Sequence, residues 1–154
     1  RLLRTYGAAP GQTARAAVPA YAEDYAFLCH GLLHLYQAGQ GKKYLDAAAA
    51  LTDALIEHHG DKKIGGFYLA ANDAEKLFAR GKDQFDGAQP SSNSLAARNL
   101  VRLWSFTGDE KYKKEAERTF RAFAGALKAY PMGLTAMATA VDEYLTVQER
   151  LKKK

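Results

Sequence analysis

A pattern recurs within these 154 residues at one constant offset, 68 positions, as from Leu32 to Leu100. At that offset Leu32, Leu35, Tyr36 and Tyr44 stand opposite Leu100, Leu103, Trp104 and Tyr112 without gaps. Each copy is an aliphatic pair at helical spacing, a short polar break, and an aromatic that opens the next run. A repeat of this kind marks a helical hairpin that cannot bury its apolar face alone and must lean on its neighbours. The chain is therefore expected to be all-α, a partial α/α toroid of repeated helical hairpins.

Helix signals divide the chain. Tyr25, Leu28, Leu32, Leu35 and Tyr36 form one apolar stripe, ended by Gly39 and Gly41, which predicts a helix over about 24–38. Tyr44, Ala48, Leu51, Leu55 and Ile56 predict a second, about 43–59, with His58 and His59 placed to meet its last carbonyls. Ser91, Ser92 and Asn93 suit the start of a third over about 92–106. Thr107 and Glu110 have capping-box spacing for a fourth, about 110–128. Its expected stripe is Tyr112, Ala116, Phe120, Phe123 and Leu127, supported by Lys113–Glu117 and Glu117–Arg121 pairs. A fifth helix follows Pro131, about 133–150. Residues 1–20, with two prolines and two glycines, read as a loop or arm before a toroid segment at 21–154. The run Gly65 to Leu69 suggests one strand of a short β-hairpin, about 64–80.

Composition excludes several classes. The net charge of +5 is spread among acidic residues and a terminal Lys152–Lys154 run, with no aromatic-spaced basic patch, so nucleic acid is not an expected partner. No apolar run is long enough for a membrane helix. Cys29 is the single cysteine, which rules out an intramolecular disulfide and favours a cytoplasmic, reducing setting. The sequence opens on Arg1 rather than methionine, as a piece of a longer chain would.

Several short motifs occur in order: Glu23-Asp24-Tyr25-Ala26-Phe27-Leu28, then Gly65-Gly66-Phe67-Tyr68, then Arg80 and Lys82, then Asp86-Gly87-Ala88 with Pro90-Ser91 and Asn93-Ser94. Together they resemble the toroid domain of the YyaL-like, spermatogenesis-associated thioredoxin-domain proteins, whose usual forms are LEDYA, GGFF and DGA-x-PSGNS. The resemblance covers nearly the whole chain. It departs from the pattern at Ala22, Tyr68 and Ser92, where that family has Leu, Phe and Gly. It implies a six-hairpin α/α toroid similar to N-acylglucosamine 2-epimerases and six-hairpin glycosidases, following a thioredoxin-like domain that this chain does not contain. The family has no securely established reaction.

Candidate chemistry gathers where alternate helices begin. The offset places the starts of the first and third helices at one end, where free N–H groups and partial positive charge suit hydroxyl-rich or anionic ligands. Asp24 and Asp86 are the candidate catalytic carboxylates, able to divide acid and base work on a sugar. Glu23, Tyr25, Arg80, Lys82, Ser91 and Asn93 are the candidate ligand-binding residues. The competing reading makes Asp24 and Asp86 helix caps that brace the rim loops. His30 and His34 share a helix face, and the repeat sets Arg98 and Arg102 at the equivalent positions. With no third ligand evident, neither a metal nor a cofactor is expected. The segment alone is expected to be catalytically silent. Its expected partners are a sugar-like small molecule, a thioredoxin-like domain of the same parent chain, and copies of itself through bare helix faces. In the alternative reading it is a non-catalytic scaffold that docks that domain or a client protein.

Overall fold

The computed structural model describes residues 1–74 and 79–153. The elements run β1 (Leu3–Gly7), β2 (Arg15–Pro19), α1 (Ala22–Gln37), α2 (Lys42–His59), α3 (Ser92–Thr107), α4 (Glu110–Ala129), a 3-10 turn at Pro131–Gly133, and α5 (Thr135–Lys152). Two helical hairpins, α1–α2 and α3–α4, stand side by side and α5 continues the row. Within it α3 packs against both α1 and α5, so the odd-numbered helices form one wall, with α2 and α4 behind. This is an arc of an α/α toroid.

The two halves of the repeat are not equally buried, and the reason is position. Leu100, Leu103 and Trp104 are buried in α3, which has neighbours on both sides. Their counterpart Leu35 is exposed, as is Leu28, because α1 has an inner neighbour on one side only. The core face of α1 is instead Ala22, Tyr25, Ala26, Cys29 and Leu33. That of α2 is Leu45, Ala48, Thr52, Leu55 and His59. The stripe expected for α4 is close to the observed one, with Tyr112, Ala116 and Phe123 buried and Thr119 beside them. Tyr144 of α5 stacks on Trp104 at 5.6 Å and meets Phe120 edge-on, joining α3, α4 and α5.

Several local expectations are corrected. The hairpin lies at 3–19, where a loop was expected, with Leu3 opposite Pro19 and Thr5 opposite Ala17. In the expected 64–80 stretch the described residues hold one isolated bridge, Gly60 to Phe67, and residues 75–78 lie outside the described part. The glycines there serve turns rather than a strand: Gly65 and Gly66 have φ of 96° and 73°. Asp109, not Thr107, caps α4, accepting from the Lys111 N–H, while the Thr107 hydroxyl donates to the Leu103 carbonyl. Glu117 accepts from the Tyr144 hydroxyl, and the ion pairs along α4 are Lys113–Glu110 and Arg118–Glu115. His59 does not meet the end of its own helix; it is buried against Tyr25, with Nδ1 3.1 Å from the Tyr68 carbonyl oxygen.

Candidate functional site

The starts of the three inner helices meet at one edge, and a few side chains fix them there. Asp86 accepts from the Ser91 N–H at the start of α3 with one carboxylate oxygen and from the Ala136 N–H at the start of α5 with the other, both at 2.8 Å. Ser91 caps α3, its hydroxyl accepting from the Ser94 N–H. Asp24 closes the start of α1 by accepting from the Tyr21 N–H at 2.8 Å, and its other oxygen lies 3.6 Å from Arg4. Carboxylates at these places complement the free N–H groups and partial positive charge of a helix start.

Beneath this edge the connecting segments are tied by buried polar groups. Asn93 is fully buried: its Oδ1 accepts from the Phe67 N–H at 2.7 Å, and its Nδ2 donates to the carbonyls of Phe67 and Asp83. Arg80 donates to the Ala70 carbonyl and lies over the Tyr68 ring at 4.2 Å. Lys82 donates to Asp61 at 2.7 Å and to the Gly65 carbonyl at 2.6 Å. Tyr25 is buried, its hydroxyl accepting from the Leu2 N–H. Asp24, Asp86, Asn93, Arg80, Lys82 and Tyr25 are thus all engaged in holding the edge together. Glu23 and Ser91 alone among the expected site residues reach an open cleft.

That cleft, about 240 Å³, lies between the start of α1 and the segment entering α3. Its walls are Glu23 and Phe27 on one side, and Asp83, Phe85, Ser91 and Ser92 on the other. Asp83 accepts from the Ser92 N–H at 2.9 Å with Oδ2. Glu23 is held by Arg4, whose guanidinium donates to Oε1 at 2.7 Å. The Ser92 hydroxyl oxygen is buried and has no hydrogen-bond partner, an arrangement that costs free energy until something supplies one. Phe27 and Phe85 are exposed at the mouth, where apolar rings in water suit the face of a sugar. Asp83 and Phe85 were not singled out from sequence, while Phe27 and Ser92 stood there only as a motif residue and a helix-start residue. Asp83 and Phe85 lie just before the Asp86 motif, where no local signal separates a cleft residue from a helix-capping one.

Asp61 carries the clearest titration in the described residues. Its buried carboxylate accepts from Lys82, from the N–H groups of Lys63 and Ile64, and from the Tyr68 hydroxyl. The Lys82 ammonium foremost, then the backbone donors and Tyr68, outweigh desolvation and hold the carboxyl well below the usual carboxylate range. A carboxyl depressed in the folded state stabilises the fold above its unfolded value and loses that contribution as the pH falls through the folded one. Stability is therefore expected to decline as the pH is lowered below about 4. In Asp61→Asn the urea midpoint is expected to be lower at pH 7 and flatter against pH in that range. An unchanged acid slope in the variant would refute the assignment. Cys29, buried under Thr52, has its thiol pushed up to about 11 by desolvation, which marks it as inert packing.

Among the described residues no group of three or more His, Cys, Asp or Glu converges as a metal site requires, and no helix is long and apolar enough to cross a membrane. No family profile matches the sequence. Over 146 residues the chain is 37% identical to human spermatogenesis-associated protein 20, a stretch that is 92% of this chain and 19% of that protein. The mouse protein of the same name is 38% identical, and an uncharacterised protein of Caenorhabditis elegans is 31% identical over 130 residues. The chain thus spans about a fifth of the length of these relatives. In three dimensions it resembles two GH76 enzymes of Bacteroides thetaiotaomicron, an α-mannanase and a mannosidase, each with TM-score 0.57 and 18% identity. The likeness covers 79% of this chain and 31% of the first, and 84% and 39% for the second. At that identity the likeness speaks to fold.

Proposed function

This chain is an α/α-toroid segment homologous to spermatogenesis-associated protein 20, and from that premise we propose that it contributes a sugar-binding rim to a larger toroid. The observation that carries the reading is the cleft at the start of α1 and α3. It combines two carboxylates, Glu23 and Asp83, with two exposed rings, Phe27 and Phe85, and a buried serine hydroxyl that lacks a partner. Carboxylates and a hydroxyl accept and donate to sugar hydroxyls, and the rings cover the apolar face of a pyranose. Asp24, Asp86, Asn93, Arg80 and Lys82 position the rim rather than touch the ligand. If the assembled toroid turns its ligand over, Glu23 and Asp83 are the pair placed to share acid and base work on a glycosidic bond. The chain alone binds but does not turn over, because a toroid funnel is closed by hairpins beyond these two.

Calorimetry of the chain with an α-linked manno-oligosaccharide tests this. Weak saturable binding is expected, without release of reducing sugar. Glu23→Gln and Asp83→Asn are each expected to weaken it about tenfold, the loss of a charge-assisted hydrogen bond, with little change in melting temperature. Asp86→Asn is expected to lower the melting temperature first. Turnover by the chain alone would refute its silence. Unaltered binding in both cleft variants would refute the site, and a general loss of stability without any ligand would favour the purely architectural reading.

A further inference from the structure

A second polar cluster lies on the open face of the inner helices, two turns along α1 from the rim cleft. It brings together His30 and His34 of α1, Asn99, Arg98 and Arg102 of α3, and Glu143 of α5. Its hydrogen-bond pattern can be followed atom by atom. The Asn99 amide is oriented by its Nδ2, which donates to the Ala26 carbonyl at 2.8 Å, so its Oδ1 faces His30 Nδ1 at 3.1 Å and must accept. His30 Nδ1 therefore carries a proton. His30 Nε2 lies 3.1 Å from His34 Nε2, and these two nitrogens need one proton between them. Arg102, which can only donate, points a guanidinium nitrogen at the same His34 Nε2, also at 3.1 Å.

These demands conflict. If His34 Nε2 keeps a lone pair for Arg102, His30 must be protonated on both nitrogens beside two guanidinium groups. Burial foremost, then Arg102, His34 and Arg98, oppose that charge and outweigh the favourable Asn99 bond, pushing the His30 pKa down. If His30 stays neutral, the His34 N–H faces an Arg102 N–H, donor against donor. Glu143 does not resolve the shortage. Its Oε1 accepts both bonds from Arg98, at 2.8 Å and 2.5 Å, while Oε2 lies 3.5 Å from Arg102 Nε, a charge contact without a hydrogen bond. Arg102, with only 13% of its side chain exposed, has no oxygen acceptor on its terminal nitrogens among the described residues. Two guanidinium groups and two imidazoles surround one carboxylate, and its unpartnered Oε2 does not reach the point where Arg102 and His34 meet donor against donor.

We infer that this face binds the oxyanion of a small ligand, a carboxylate or a phosphate, seated between Arg102 and His34. Such an oxygen accepts from Arg102 and from the His34 N–H together, which removes the donor conflict and offsets the uncompensated charge. Room for the rest of the ligand adjoins the cluster. A cleft of about 240 Å³ between α3 and α5 has Gln37, Arg102, Ser105, Asp142, Glu143 and Arg150 among its polar lining residues. The site shares no residue with the rim cleft and stands or falls separately from the sugar-binding reading.

Inorganic phosphate and acetate, titrated separately into the chain at constant ionic strength with chloride as the balancing anion, provide the test. The readout is the imidazole nitrogen resonances of His30 and His34. Both are expected to shift saturably with at least one of the two anions, and His30 to titrate at higher pH when the anion is bound. The stronger of the two identifies the oxyanion class. Arg102→Gln is expected to weaken binding at least about tenfold, the loss of a charge-assisted pair. Should that variant fail to fold, His34→Gln, on an exposed part of α1, carries the same comparison. Shifts that do not saturate, that chloride reproduces, or that survive in the variant would overturn the inference.

Discussion

Asn93→Ala is expected to lower the unfolding free energy by about 4 kcal/mol, which for a domain of ordinary stability leaves a chain close to its melting point at 37 °C. The magnitude comes from what is stranded rather than from what is removed. The amide is fully buried and serves three backbone groups: the N–H and carbonyl of Phe67 and the carbonyl of Asp83. Each such group, left dry and unpaired, costs about 1–3 kcal/mol, and partial entry of water into the vacated space reduces the sum. Asn93→Asp separates the causes, since it keeps the volume and the Oδ1 acceptor but loses both N–H donors and sets a carboxylate against two carbonyl oxygens. It is expected to destabilise at least as much as alanine at pH 7. Urea unfolding followed by circular dichroism measures both. A loss below about 1 kcal/mol in the alanine variant would show that these backbone groups find other partners.

Gly65→Ala carries the second largest expected effect, about 3 kcal/mol, from two separate causes. The backbone at Gly65 has φ of 96°, a region that a residue with a Cβ adopts at a cost of about 1 kcal/mol or more. An added Cβ would also stand 2.5 Å from the Arg118 carbonyl oxygen. That obstacle is helix backbone in α4, so relief requires the loop to retreat from α4. Retreat in turn breaks the Arg118 bond to the Asp61 carbonyl and disturbs the Lys82 bond to the Gly65 carbonyl. Gly81→Ala is the control: no atom lies within 4 Å of a Cβ there, and the change is expected to stay within about 0.5 kcal/mol. Equal effects at the two glycines would contradict the crowding argument.

How far the sequence reaches is clearest at particular positions. The spacing that aligns Leu100 and Tyr112 with Leu32 and Tyr44 is enough to place paired helices, since helical period and turn residues are local properties. It does not tell which copy stands at an edge, because burial of Leu35 or Leu103 depends on neighbours supplied by distant segments. The strands at 3–19 escaped notice for a related reason. Leu3–Gly7 and Arg15–Pro19 are almost wholly exposed and so show no alternation of apolar and polar residues. For the site, the motifs drew attention to Asp86, Asn93, Arg80 and Lys82, residues whose side chains hold backbone in place. Such residues are conspicuous in a motif because a loop without secondary structure needs them. Glu23 was legible from its place at a helix start. Asp83 and Phe85 were not, since nothing local distinguishes a carboxylate that caps a neighbour from one that lines a cleft.

The hairpin at the beginning of the chain reaches the rim through Arg4, whose guanidinium pairs with Glu23 and lies near Asp24. A sugar hydroxyl that approaches Glu23 competes with a guanidinium already seated there, so ligand affinity at this carboxylate is a difference between two partners. Dissolved salt screens the half-exposed ion pair but barely touches a neutral hydroxyl. Raising ionic strength therefore loosens the incumbent and favours the newcomer, the reverse of what salt does where charge alone attracts a ligand.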